Sequence, residues 1–165
     1  NKMDVELREE HNGTLVPEAV RHGIRDADPA DVGPRDYQPL EVSLRDSAEK
    51  IVGGLYGATM WSWLMIEGLW VDEALRGRGL GRQLLLRTED IALARGCRGA
   101  WLGTFDFQAR DFYERLGYTV FAALPGFPPG HTHFHLRKHL SAFSNSRSAP
   151  NEELKPAATP SSLVE

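Results

Sequence analysis

Residues Ser62–Val71 form an apolar, aromatic run (SWLMIEGLWV) that leads within a few residues into Arg76-Gly77-Arg78-Gly79-Leu80-Gly81-Arg82. Such a run suits a central strand covered on both faces. The glycines that follow let the backbone turn sharply. A helix is expected from about Gly79 to Arg95, with Leu80, Leu84, Ile91 and Ala94 as its buried stripe and Arg87 and Asp90 off it. Gly96 ends it. Another strand, Gly99–Phe105, follows. Strand, helix and strand in this order make a crossover, so the sheet holds a parallel pair.

The flanking sequence extends this unit. Leu40, Val42 and Leu44 alternate with Glu41, Ser43 and Arg45, a half-buried strand. Ile51–Thr59 is the next strand, and Gly53, Gly54 and Gly57 weaken it or let another backbone come close. Val5–Glu9 could form a short first strand, and Pro17–Asp26 a helix with Pro17 near its first turn. Asp28–Tyr37 is a loop. Gln108–Leu116 is a short helix closed by Gly117, and Tyr118–Ala123 and Thr132–Leu140 are two last strands joined by a Pro/Gly-rich loop. The fold class is α/β: a single domain with a mixed, mostly antiparallel sheet flanked by helices. Ser141–Glu165 shifts to Ser, Pro, Ala, Asn and Glu, so the domain is expected over 1–140 with a flexible polar tail over 141–165. Met3 reads as the native start.

The chain has 165 residues and a formal charge of -4, which argues against broad electrostatic binding of nucleic acid. No stretch is apolar and long enough for a membrane helix. One cysteine, Cys97, excludes an internal disulfide framework and a cysteine-based zinc site. A cytoplasmic location is the expectation.

Four readings of the glycine turn compete. A dinucleotide fingerprint needs Gly-x-Gly-x-x-Gly, and from Gly77 its last position is Arg82. A phosphate loop of nucleotide hydrolases ends in Gly-Lys-Ser/Thr, absent here. What remains is either a tight turn with solvated arginines or a phosphate cradle, in which backbone N–H groups, the helix start and Arg76, Arg78 and Arg82 converge on an anion.

Arg76-x-x-Gly79-x-Gly81 resembles the Q/R-x-x-G-x-G/A signature of the GCN5-related N-acetyltransferases (GNAT). Leu69-Trp70-Val71-Asp72 resembles the end of that family's cofactor strand. Ala109 and Phe112-Tyr113-Glu114-Arg115-Leu116-Gly117-Tyr118 are similar to its following helix and turn. The similarity covers about Leu40 to Leu140. It implies acetyl-coenzyme A as co-substrate, lying in a gap between the Ser62–Val71 and Gly99–Phe105 strands. Leu69, Trp70 and Val71 would meet the pantetheine and acetyl group. Arg76, Gly77, Arg78, Gly79, Leu80, Gly81 and Arg82 would hold the pyrophosphate, with Gln108 and Phe112 nearby. Asp106 stands where many relatives have Asn.

The reaction implied is direct attack of a neutral amine on the thioester. A base removes the amine's proton and an acid protonates the leaving thiolate. Tyr113 is the expected acid, from the resemblance. Glu67 is the expected base: a carboxylate inside an apolar strand is expensive unless used or paired, and alternation places it with Leu69 and Val71. The alternative base is a histidine of the last strand. His131, His133, His135 and His139 share a parity there, and His133 and His135, with Trp63, are candidate acceptor contacts. No metal site is expected. Cys97 follows a helix C-terminus, where a thiolate is disfavoured.

The expected function is transfer of an acetyl group to a primary amine of a small molecule. The acids Asp26, Asp28, Asp31 and Asp36 would favour a cationic one. A peptide or protein amine, a longer acyl chain, and a silent acyl-coenzyme A sensor are the alternatives. A homodimer is plausible because sheet edges need cover.

Overall fold

The computed structural model describes residues 6–9, 13 and 15–141. The alternating stretches of the sequence become six strands: β1 (Gln38–Arg45), β2 (Ile51–Met60), β3 (Trp63–Val71), β4 (Gly99–Phe105), β5 (Thr119–Pro125) and β6 (Thr132–His139). They lie in one sheet in the order β1-β2-β3-β4-β6-β5. All neighbours are antiparallel except β3 and β4. Those two are joined by the crossover helix α2 (Leu80–Ala94); α1 (Leu15–Asp26) precedes the sheet and α3 (Arg110–Arg115) follows β4. β2 and β3 meet through Trp61 and Ser62 at φ 47° and 60°. Positive φ at both loop residues is what a two-residue hairpin requires.

The chain divides into two compact units, residues 1–35 and 36–165. In the first, α1 carries Val16, Val20 and Ile24 on one stripe, each at least half exposed. The acidic loop behind it is already compensated in part. Arg35 grips Asp28 through two hydrogen bonds of 2.7 and 2.8 Å, and that grip holds the Asp28 carboxyl below its usual range. The expected strand over Val5–Glu9 does not form among its described residues. Glu6–Glu9 is irregular and exposed, because Leu7 alone offers too little apolar surface to pin a strand. The expected tail lies outside the described residues, apart from Ser141.

The second unit has one core. Leu40, Leu55, Leu64, Leu102 and Leu136 from the sheet meet Leu84, Leu85 and Ala92 of α2. The buried stripe of α2 is Leu84, Leu85, Thr88, Glu89 and Ala92. Ala94, expected on it, is exposed because the helix ends there and its last turn leaves the sheet.

Glu89 in that stripe is fully buried. Lys138 of β6 donates to its Oε2 at 2.7 Å and the Tyr118 hydroxyl to its Oε1 at 2.9 Å. Burial pushes the Glu89 carboxyl up, while Lys138 and Tyr118 pull it back down. A buried carboxylate is tolerable only with such partners. Removing the cation by Lys138→Met should therefore cost about 3 kcal/mol or more of unfolding free energy in urea. Adding Glu89→Gln should recover part of it. The carboxyl of the single variant titrates higher folded than unfolded, so the penalty should shrink as pH falls and Glu89 is protonated. A loss under about 1 kcal/mol would show the pair to be dispensable.

Candidate active site

The site begins as an irregularity in β3. The β2–β3 ladder steps from Tyr56↔Gly68 to Gly57↔Ile66, so Glu67 has no partner across it. One extra residue resets alternation. The buried positions Leu64 and Ile66 are followed by Val71 rather than by another even-numbered residue. Simple alternation therefore breaks at Glu67, and it is the bulge that leaves Glu67 on the same side as Leu69. Glu67 is an exposed bulge residue, not a buried carboxylate. Gly57 seats the bulge, since a Cβ there would collide with the Met65 carbonyl oxygen.

Beyond the bulge the parallel pairing stops. β3 and β4 pair only from Trp63↔Gly99 to Ile66↔Leu102. The strands then part around a cleft of about 580 Å³. Glu67, Leu69, Arg76, Gln108 and Tyr113 all line it. So do Gly103, Thr104 and Phe107, for which the sequence carries no periodic signal. A second groove, of about 670 Å³, shares Leu69, Arg76 and Ala109 with the first. Val71 and Phe112 line it, together with the glycine turn from Gly77 to Arg82 except Arg78.

The turn owes its shape to backbone conformation. Gly79 stands at φ 74° just before Leu80, the first helical residue, and no side chain caps the helix. The N–H groups of a helix's first turn lack acceptors within the helix, so here they face the groove. Arg76 reaches back to donate from Nε to the Val71 carbonyl at 3.1 Å, which fixes its guanidinium where the two cavities meet.

Tyr113 on α3 is buried. Desolvation pushes its phenol up to about 12, so the hydroxyl keeps its proton at neutral pH. Its hydroxyl has no protein partner among the described residues, unlike that of Tyr118. A buried donor is expensive to leave unpaired, and this one opens onto the cleft.

Other expected residues lie elsewhere. Trp70 is half exposed and lines neither cavity, because Leu69 and Val71 take the inward positions beside it. Arg78 is exposed at the tip of the turn. Trp63 sits at the closed end of the β3–β4 pairing, against His139 at 6.1 Å between ring centroids. The His133 ring lies over Gly103, whose ideal Cβ would be 2.7 Å from its Cε1. Burial, then the neighbouring His135, holds His133 below its ordinary value, so it is neutral near pH 7. His135 follows at 4.7 Å. Gln108 turns its Oε1 back to accept from the Phe105 N–H at 3.2 Å and Thr104 Oγ1 at 3.3 Å, so that end of the side chain holds the strand terminus. Asp106 accepts from the Thr132 N–H at 3.1 Å and is bridged to His131 Nδ1 at 3.0 Å, so it ties the loop to β6. Cys97 is buried outside both cavities, and burial pushes its thiol up. Among the described residues no group of three His, Cys, Asp or Glu is placed to hold a metal. No described helix is long and apolar enough to cross a membrane.

A sheet split open after a bulge, with a glycine-bounded helix start at one side of the gap and an unpartnered phenol at the other, defines an acyl-coenzyme A transferase type of site. The sequence profile of the Acetyltransferase (GNAT) family matches residues 8–118, and the chain belongs to that family. It is 46% identical over 109 residues to the blasticidin-S acetyltransferase of Streptomyces morookaense, a match covering 64% of this chain and 80% of that protein. The crystal structure of an acetyltransferase from Bacillus cereus superposes with a TM-score of 0.71 at 31% identity, over 81% of this chain and 98% of that one. At the level of fold alone, a Bacillus anthracis structure assigned to streptothricin acetylation and solved with acetyl coenzyme A superposes with a TM-score of 0.56 at 20% identity, over 62% and 63% of the two chains.

The bulge makes Gly57 a sensitive position. Gly57→Ala should force β3 away from β2 and cost about 2 kcal/mol or more, read as a lower midpoint in urea. An unchanged midpoint would mean that β3 yields freely and that the bulge is not fixed by this contact.

Proposed function

We propose that the chain moves an acetyl group from acetyl-coenzyme A to the primary amine of a small molecule. The observation that carries this reading is the buried Tyr113 hydroxyl, unpartnered among the described residues and facing the cleft beyond the last β3–β4 pair. The residues present suit the co-substrate. The first turn of α2, with Arg76 and Arg82, offers N–H groups and positive charge to a diphosphate. The gap beside Leu69 is lined by backbone that a slender amide-bearing arm can pair with.

The amine must be neutral to attack, and an alkylamine is mostly protonated at pH 7. Glu67, exposed on the bulge at the cleft, takes that proton directly or through water. The nitrogen bonds to the acyl carbon as the carbon–sulfur bond breaks. Tyr113 gives its proton to the departing sulfur and is reprotonated from solvent. The ammonium loses two protons in all, one before attack and one from the nitrogen as the amide forms; the thiol takes one and the other goes to solvent, so the step balances. The acid and base differ by environment: the phenol is desolvated and the carboxylate is wet. A small-molecule acceptor is supported by the antibiotic-named relative.

Titration with acetyl-coenzyme A, then thiol release over a panel of amines, tests the assignment. Micromolar binding with release on one amine class is the expected result. Binding with no release on small amines or peptides would favour a silent sensor. Gly81→Glu should abolish binding in calorimetry with the melting curve retained, because it sets a carboxylate at the anion site beside Phe112. Unchanged affinity would remove the diphosphate from this groove. Tyr113→Phe should lower kcat about 10- to 100-fold with acetyl-coenzyme A affinity unchanged. Equal turnover would remove Tyr113 as the acid.

A further inference from the structure

At the mouth of the cleft, rings accumulate without being buried. Phe105 and Phe107 are stacked at 5.1 Å with their planes only 8° apart. Phe127, from the loop between β5 and β6, stands 5.7 Å from Phe105 and edge-on to His133 at 5.9 Å. His133 is 4.5 Å from Phe105 and lies over Gly103, a cleft residue. Yet Phe107 and Phe127 remain 55% and 53% exposed. Core packing does not account for a ledge of this kind, and large exposed apolar groups continuous with a cleft mark a ligand surface.

The charges nearby narrow what the ledge suits. The Asp106 carboxylate is taken up by His131 and the Thr132 N–H, and His133 is neutral. The ledge therefore offers ring faces and edges rather than free anions. A flexible polyamine would find few charges to pair with. Phe107 already has Phe105 stacked on it and the His131 ring at a steep angle 4.8 Å away, and a flat ring could pack on the exposed parts of Phe107 and Phe127 in the stacked or edge-on arrangements aromatic groups prefer. The exposed carboxylate of Glu67, also in the cleft, is left for the ammonium.

We propose that the acceptor carries a planar aromatic or heteroaromatic ring beside its amine, and that Phe107 and Phe127 bind that ring at the cleft mouth. The proposal rests on the acetyl-transfer reading and adds the class of acceptor.

The test compares phenethylamine with 2-cyclohexylethylamine, alike in bulk but not in planarity, by thiol release at saturating acetyl-coenzyme A. The planar amine should have a kcat/KM about ten-fold higher. Phe107→Ala and Phe127→Ala should each raise KM for phenethylamine by several-fold to about ten-fold and erase the gap. For Phe127→Ala, which lies outside the lining of both cavities, turnover at saturation and acetyl-coenzyme A affinity should stay unchanged. Both positions are exposed, so the variants should melt as the parent does. Equal kcat/KM for the two amines would overturn the proposal, as would an equal loss on both in the variants. So would a dimer in sedimentation velocity that Phe107→Ala dissociates without touching the preference, since the ledge would then face a second copy. If no amine releases thiol, the transfer reading fails by itself. Calorimetry of the two amines against the protein and coenzyme A then decides the ledge, with equal affinities overturning it and tighter binding of the planar amine supporting it.

Discussion

The early end of the β3–β4 ladder governs the rest of the architecture. Each of these strands stays held on its outer side, β3 by β2 as far as Val71 and β4 by β6 along its whole length. Only the inner edges part. Unpaired strand edges are normally a liability. Here they face each other across a cleft, where backbone donors and acceptors are left for something other than protein. The Glu67 bulge belongs to the same device. It sharpens the turn of β3 away from β4 at the point where pairing ends, and it presents a carboxylate there. A regular β3 would bury its even positions throughout and close the gap.

A gap between strands is useful only if its walls hold still. α2 is pinned along its length and at its C-terminal end. Arg95 just beyond its C-terminus donates to the carbonyls of Gln38 and Pro39 at 3.2 and 3.1 Å. Glu89 ties its middle to β6 through Lys138 and to Tyr118. The Tyr118 ring packs edge-on against Tyr113 at 5.8 Å. The helix whose first turn faces the groove and the phenol that faces the cleft thus share one buried polar anchor. Such support fixes rotamers before any ligand arrives, which is where much of a site's rate enhancement originates.

The sequence disclosed the frame more readily than the site. Alternation in Leu40–Leu44 and the apolar run of β3 made the strands legible, because burial on one or both faces leaves a period. The glycine turn was legible because positive φ selects glycine at Gly77 and Gly79. The bulge was not: one extra residue in a strand leaves no periodic mark, so alternation placed Glu67 beside Leu69 without the irregularity that holds it there. The Glu89–Lys138 pair left a partial trace, since a carboxylate spaced with Leu85, Thr88 and Ala92 falls on the buried stripe, but its partner is 49 residues away. The aromatic ledge depends on a loop closing over β4 and β6, so nothing local in Phe105, Phe107 or Phe127 announces it.

These parts divide the chemistry by how wet each is. Tyr113 is desolvated and keeps its proton, which is what an acid for a leaving thiolate needs. Glu67 is exposed on the bulge, which is what a base that hands its proton on to water needs. On the alternation set by Leu64 and Ile66, a regular β3 would have turned residue 67 to the opposite face of the sheet, away from the cleft that Ile66 and Leu69 line. One inserted residue thus both marks where the pairing ends and keeps a carboxylate at the cleft.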